Sequence, residues 1–394
     1  MWRLILILGF LLLLSIEAVF IYLVSPFPGS QEMTDTVEFA HTLFQYRILL
    51  RAAGGLMVAT ALWYYIKPVS RWKLMGLGLM LVVYSTVFYL ANYPMAAEYM
   101  FKIPENKVLL SVADNQVNLE RVVMGLHLSG ESVAYPIEIM GYHHQVYDTL
   151  GSSPVVITYC IVCRTGRAFS PVVNDKQVNF RLVGMTQYNA MFEDPETKSW
   201  WMQATGEAVA GPLKGQQLAE VSIEQMTLGA WIDQYPTTKI LQYDSACLPI
   251  YERLEGFDRG KLTSNNLKTD STAWAAKAWI IGIKVGELSR AYDWLYLNEH
   301  RLINDQIGET PLLIYLDADG FSFHTWNRNL LSQTLEFELM NDTLRDKATG
   351  SAWNAQGVCI KGKFEGKQLL LLQSYQEYWH SWQSFQPKTD KFPL

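Results

Sequence analysis

Two stretches of this 394-residue chain carry the same residues at the same spacing, and no other feature constrains the fold as strongly. Tyr135, His143, Asp148, Gly151 and Pro154 are answered, at one constant offset, by Tyr292, His300, Asp305, Gly308 and Pro311. Gly125 and Gly282 extend that register backwards through the apolar segments 122–128 and 279–285. After a small shift, Asp194, Thr197, Ser199 and Trp201 correspond to Asp346, Thr349, Ser351 and Trp353. After one more, Gly206, Gly211, Gly215 and Leu218 correspond to Gly357, Gly362, Gly366 and Leu369, and Trp231 with Pro236 and Trp382 with Pro387 close the two stretches. Glycine tolerates positive φ without steric penalty, so glycines at matching positions mean backbones that turn in the same places. The expectation is an internally duplicated domain with copies at 108–245 and 270–394, joined by a linker at 246–269.

The segments between turns are short, rich in Val, Ile, Tyr, Phe and Trp, and bounded by Gly, Asn, Asp and Pro, which is the composition of strands and hairpins. Residues 154–159 read as one strand, and 167–173 with 178–183 as a hairpin around Asn174-Asp175-Lys176. Helical spacing is expected around His143 and His300 and around Trp231 and Trp382. The predicted class is therefore α+β, mainly β, preceded by an N-terminal membrane anchor.

That anchor is expected over residues 1–100, with three transmembrane helices at about 4–24, 48–66 and 74–91. The first stretch is apolar except for Ser15 and Glu17 and is long enough to cross a bilayer. No small-x-small site precedes a polar mature start, which argues against a cleaved signal peptide. Ala52-Ala53-Gly54-Gly55 would let a neighbouring helix approach closely. Lys67, Arg71 and Lys73 lie between the second and third spans, whereas Glu32, Asp35 and Glu38 lie between the first and second. The positive-inside bias then predicts a cytoplasmic N-terminus and an extracytoplasmic C-terminal part, with Arg47 and Arg51 counting the other way. Glu17, inside a span, is expected near the outer interface or paired with Arg51. The expected partner is a lipid bilayer. A net charge of −6 with scattered Lys and Arg gives no footprint for nucleic acid. No Gly-x-Ser-x-Gly elbow, phosphate loop or dinucleotide fingerprint supports a hydrolase, kinase or nicotinamide dehydrogenase.

A run of spaced motifs resembles a known family. Val133-Ala-Tyr-Pro136, His143 with Asp148, Thr158-Tyr-Cys-x-x-Cys163, Tyr188-Asn189, Asp194-x-x-Thr-x-Ser-x-Trp201, Gly206 to Gly211 and Trp231 resemble the bacterial family catalogued as domain of unknown function 3179. The resemblance covers residues 120–245 and, more weakly, the second copy, including Tyr378-Trp379-x-x-Trp382. Some relatives carry selenocysteine within the Cys-x-x-Cys motif, which implies redox chemistry for it. This chain departs from the family pattern in having Ile161-Val162 where a proline is common, Arg164 where glycine is usual, and His144 where a carboxylate is usual.

Three chemistries fit Cys160-x-x-Cys163. A disulfide in an oxidising compartment would close a small loop and remove only about 2 kcal/mol of chain entropy, a weak reason for the pair. Thiol redox catalysis would use one thiolate to attack and the other to resolve, with Arg164 and Arg167 as nearby cations that favour thiolate. Here the partner would be a redox protein or a small ligand, although the motif does not open a helix in a βαβ unit as a thioredoxin motif would. A metal site would take the two sulfurs with His143 and suit zinc or cuprous copper. His300 occurs where the cysteine counterparts are Asp317 and Gly320, which favours a structural histidine bonded to Asp148 or Asp305. Asp317-Ala-Asp-Gly320 lacks the remaining ligands of a calcium loop and reads as a tight turn. Cys247 and Cys359 either pair, if the copies face each other, or remain buried thiols. Trp200, whose counterpart is Ala352, is a candidate pocket residue. The leading expectation is an extracytoplasmic redox or metal centre at Cys160, Cys163 and Arg164, and the rival is a binding or assembly module with a structural disulfide.

Overall fold

The computed structural model describes residues 1–33, 35–65, 67, 68, 70–262 and 269–393. Ile66 at the end of the expected second span, residues 263–268 of the expected linker, and Leu394 lie outside the described residues. The class is α+β, with many strands in several sheets and apolar helices at the N-terminus. Two compact units emerge: residues 1–102 with 172–218, and residues 103–171 with 219–394.

The first unit contains three long helices, α1 (Trp2–Val24), α2 (Val37–Tyr65) and α3 (Arg71–Asn92). By length and composition, α1 and α3 are able to cross a membrane. Helix α2 starts eleven residues before its expected span because its first turns are polar and pack on protein. His41 Nε2 lies 2.9 Å from the Lys198 carbonyl, and Glu38 pairs with Lys214. These partners lie in connections that border a sheet of strands Arg181–Thr186, Asn189–Glu193, Trp200–Met202 and Ala208–Ala210. Gly184 sits against the end of α1, where an added Cβ would lie 2.3 Å from the Val24 carbonyl oxygen. Inside the helices, Arg51 grips Glu17 with two bonds of 2.7 Å and donates to Asn92 at 2.8 Å, while Asn92 donates to Glu17 at 2.8 Å. One charge-neutral cluster therefore joins all three helices, as a buried carboxylate requires.

In chain order, one series of sheets occurs twice. Strand Val122–Leu128 pairs antiparallel with Glu131–Pro136 and Glu224–Thr227, and Glu131–Pro136 pairs parallel with Lys239–Leu241. Strand Trp279–Val285 has the same relations to Leu288–Asp293 and Ser374–Tyr378, and Leu288–Asp293 pairs parallel with Asp390–Phe392. Gln145–Leu150, Ser153–Cys160 and Thr165–Phe169 form an antiparallel meander, as do Leu302–Ile307, Thr310–Leu316 and Phe323–Asn327. The expected 167–183 hairpin is broken into shorter strands at Ser170-Pro171, where proline offers no N–H to a ladder. Asn174 and Asp175 both take positive φ at its tip, as a tight hairpin turn requires.

The repeated residues make repeated contacts. Tyr135 donates to Asp148 and Tyr292 to Asp305, each at 2.8 Å. Asp194 accepts from Thr197 and from the Trp201 indole, and Asp346 accepts from Thr349 and the Trp353 indole in the same way. Trp231 lies on Gly125 and Trp382 on Gly282, with room for no side chain: an added Cβ would come within 2.3 Å of either ring. Gly125→Ala and Gly282→Ala are each expected to destabilise by about 1–3 kcal/mol through overpacking. Thermal denaturation of the full chain in detergent reads this, with Gly76→Ala, which meets nothing within 4 Å, as the silent control.

Candidate functional site

Cys160 is the last residue of strand Ser153–Cys160, and Thr165 opposite it begins the next strand, so Cys163 and Arg164 occupy the four-residue tip of a β-hairpin. Arg164 takes φ +57 there, the left-handed conformation that suits the glycine usual in the resembled family. The tip is enclosed: Cys160 is 1 % exposed, Cys163 0 % and Arg164 1 %. None of the four cysteines is in a disulfide. Of the two alternatives for Cys247 and Cys359 the unpaired one is found, and Cys359 is packed among Trp353, Phe364 and Leu369.

What encloses the tip is the start of the helix Trp379–Phe385. The amide of its N-cap residue, Tyr378, donates to the Cys163 carbonyl at 3.0 Å, and His380 Nε2 lies 3.2 Å from the Val162 carbonyl. The reciprocal contact is also present. Hairpin tip 317–322, which is the tight turn expected, docks on the helix Leu228–Gln234: the N-cap Thr227 amide donates to Ser322 Oγ at 2.9 Å and its hydroxyl to Asp319 at 2.8 Å. Between the two contacts Gln225 donates to Gln376 at 2.8 Å. A helix start leaves amides without intrahelical acceptors. Here the next amides find theirs locally, at Arg121 and Leu119 in one case and at Ala278 and Ala276 in the other, while the N-cap amide reaches across.

Arg164 and Arg167 are both buried, but differently. Arg167 is ion-paired with Glu377 at 2.8 Å, and Glu377 also accepts from Thr165 at 3.0 Å and Ser381 at 2.7 Å. Arg164 has no carboxylate within ion-pair distance among the described residues. It donates to Gln376 at 3.1 Å, to the Phe257 carbonyl at 2.8 Å and to the Asp258 carbonyl, and stacks 3.8 Å over Trp279. Phe257 and Asp258 come from the segment read as a linker, and the Val122 amide holds the Asp258 carboxylate at 2.9 Å. Sequence spacing could not find these partners, although the apolar run Ile250, Tyr251, Leu254 and Phe257 hints at burial. Beside Cys160, burial pushes the Tyr159 phenol up, with Arg164 acting against that shift.

The expected ligand set Cys160, Cys163 and His143 does not form a metal centre. Among the described residues no group of three or more His, Cys, Asp or Glu side chains is placed to hold an ion. His143 Nε2 instead shares a 2.5 Å hydrogen bond with Tyr251. Asp148 and Asp305 accept from Tyr135 and Tyr292. His300 is exposed and bonds to the Tyr296 carbonyl at 3.0 Å. Trp200 lines no open pocket: it is fully buried, donates to Glu193 at 3.0 Å, and meets His41 and Phe44 of α2 edge-on.

The family model described as "Protein of unknown function (DUF3179)" matches residues 105–389. The chain belongs to this family. Comparison with curated proteins and with solved structures gave no match. His144 takes a left-handed conformation, φ +59, and its carbonyl accepts from the Tyr159 amide at 3.0 Å. Burial, and secondarily its neighbour His143, depresses its pKa from 6.5 to about 4, against a bond to the Tyr142 carbonyl. A histidine kept neutral by folding contributes stability above pH 6.5 that is lost as the pH falls towards 4. The loss is on the order of 3 kcal/mol. His144→Asn, which keeps the left-handed backbone, is expected to flatten the stability profile of the full chain between those two values.

Proposed function

We propose that this chain is a membrane-anchored extracytoplasmic protein made of two copies of one strand-rich domain, the first of which carries a Cys160/Cys163 thiol redox centre. The observation that carries the reading is the hairpin tip itself. It holds two thiols three residues apart, not cross-linked, next to a buried guanidinium, and among the described residues the thiols belong to no metal-ligand cluster and the guanidinium has no carboxylate in ion-pair distance. A dithiol so spaced closes to a disulfide within one loop, and a buried cation supports the anionic sulfur that such chemistry needs.

Three spans are supported by the aromatic residues at both ends of each helix. Trp2 to Tyr22, Tyr46 to Trp63 and Trp72 to Tyr89 are separated by roughly 26–30 Å of helix, the thickness of a hydrocarbon core. Tyr46, Trp63, Trp72 and Tyr89 are all strongly exposed, as residues of an interfacial belt are. Arg3, Lys67, Arg71 and Lys73 gather at one end without an acidic residue, and the sheet of residues 181–210 meets the other end. Pairing with Glu17 removes Arg51 from the opposing count, which sharpens the positive-inside argument for an extracytoplasmic domain. Two copies are supported by the repeated sheets, the repeated contacts and the reciprocal docking of hairpin tips on N-cap amides. Gln225 and Gln376, at corresponding positions, meet where a two-fold axis between the copies would run.

A second reading, an assembly module without catalysis, is favoured by one observation: the Cys-x-x-Cys tip is also a docking element. Differential alkylation and mass spectrometry of the full chain separate the readings. Mild oxidation is expected to withdraw two thiols, mapping to Cys160 and Cys163, and Cys160→Ser is expected to abolish the change. Thiols that persist under conditions that pair them in the unfolded chain count against redox chemistry. Full cellular function in the double serine variant favours the assembly module, and metal retained by the wild type but lost in Cys160→Ser would favour a metal site.

A further inference from the structure

Helices α1 and α2 are in close contact, whereas α3 stands off from them over most of its length. A Cβ added at Gly9 would lie 2.9 Å from Met57 Cβ, and one at Gly54 would lie 2.9 Å from Leu13 Cδ2, so that seam admits nothing larger than glycine. Helix α3 is tied to the pair through Asn92, which bonds to Arg51 and Glu17, and of its residues only Ala91, beside that contact, is buried. Towards the other end of α3 a cavity of about 370 Å³ separates it from α1 and α2.

The cavity runs from Leu6 to Leu13 on α1, from Leu62 to Gly55 on α2 and from Leu77 to Tyr84 on α3. Each helix thus contributes a rise of ~10 Å. Every lining residue is apolar except for the hydroxyl of Tyr84, so the space lacks the polar partners that would hold water. Left empty, it would cost its walls their dispersion contacts. Its depth is most of one leaflet, about half of a ~30 Å hydrocarbon core. That suits a single acyl chain, whereas a helix of a second copy, ~10 Å or more in diameter, needs a seam along the whole span.

The mouth of the cavity is basic. Leu6 lies one turn beyond Arg3, Leu77 one turn beyond Lys73, and Leu62 five residues before Lys67, with Arg71 at the start of α3. Trp2 stacks on Tyr64 at 4.2 Å at the same end. Basic residues at the cytoplasmic ends of spans attract anionic headgroups.

We propose that this cavity binds one anionic phospholipid of the cytoplasmic leaflet, with an acyl chain between α3 and the α1–α2 pair and the phosphate among Arg3, Arg71 and Lys73. This rests on the membrane-anchor reading above and names a specific lipid partner for it. The bound chain completes the packing of α3. Gly55 and Gly78 keep its place open: both line the cavity, and a Cβ added at either meets nothing within 4 Å.

The test titrates the full chain in detergent with phosphatidylglycerol or phosphatidylcholine of the same acyl chains and reads the complexes by native mass spectrometry. One phosphatidylglycerol per chain is expected, bound at least ~10-fold more tightly than phosphatidylcholine. Arg3→Gln and Arg71→Gln are each expected to reduce that preference ~5-fold. Gly55→Leu combined with Gly78→Leu fills the space and replaces two poor helix formers. It is expected to keep the melting temperature while lowering the affinity for phosphatidylglycerol at least ~10-fold. Gly76→Leu, on α3 but outside the lining, is expected to change neither. Equal affinity for the two lipids overturns the proposal. So does unchanged binding in the filled variant, the result if lipid merely coats the anchor, and so does a lipid-free dimer that the filled variant disrupts. Alkaline carbonate extraction of membranes keeps the two readings apart. A chain released by carbonate takes the anchor reading down together with this one, and a chain retained but without lipid preference overturns this one alone.

Discussion

The N-cap amides of Tyr378 and Thr227 decide how this fold is held together. Each stands where a strand turns into a helix, and each finds its acceptor on a hairpin tip far away in sequence, at the Cys163 carbonyl and at Ser322 Oγ. A buried amide left without an acceptor costs about as much as a lost hydrogen bond, so neither tip is free to drift. Around the first contact the ion pair of Arg167 with Glu377 and the bonds of Arg164 are fixed in turn. Removing one partner of such a buried pair costs about 3–5 kcal/mol, which makes the joint a cooperative structure more than a surface contact.

The two hairpin tips dock through different groups. At tip 317–322 the docking is made by Asp319, which accepts from the amides of Phe321 and Ser322 and from the Thr227 hydroxyl. At tip 160–165 a main-chain carbonyl takes that part, so the side chains of Cys160 and Cys163 are not needed for the docking bond. Two thiols are then kept in an enclosed place, with a cation one residue away. That combination separates this tip from tip 317–322.

Much of this was legible in the residues. The matched spacing that pairs Tyr135 with Tyr292 and, after two shifts of register, Trp231 with Trp382 marks positions where a phenol meets an aspartate and a tryptophan lies on a glycine, so spacing alone locates them. The apolar runs located the helices, but not the start of α2, because Glu38 and His41 belong to packing against the sheet and break the apolar pattern. Partners brought together by tertiary contact were not legible: Gln376, Glu377, Phe257 and Asp258 stand far from Arg164 in sequence, and no periodicity links them. His143 misled for the same reason. Its match with His300 suggested one shared role, whereas Tyr251, from outside the repeated pattern, buries one histidine and leaves the other at the surface.

The account turns on whether Cys160 and Cys163 form a reversible couple in the folded chain. A redox titration of the full-length protein against defined thiol–disulfide buffers, quenched by alkylation and read by mass spectrometry at these two residues, measures it directly. A reversible couple gives one two-electron transition with a midpoint between about −120 and −270 mV, the range of catalytic dithiols. A pair that remains reduced across the whole range, or one that stays oxidised below about −300 mV as structural disulfides do, would contradict it.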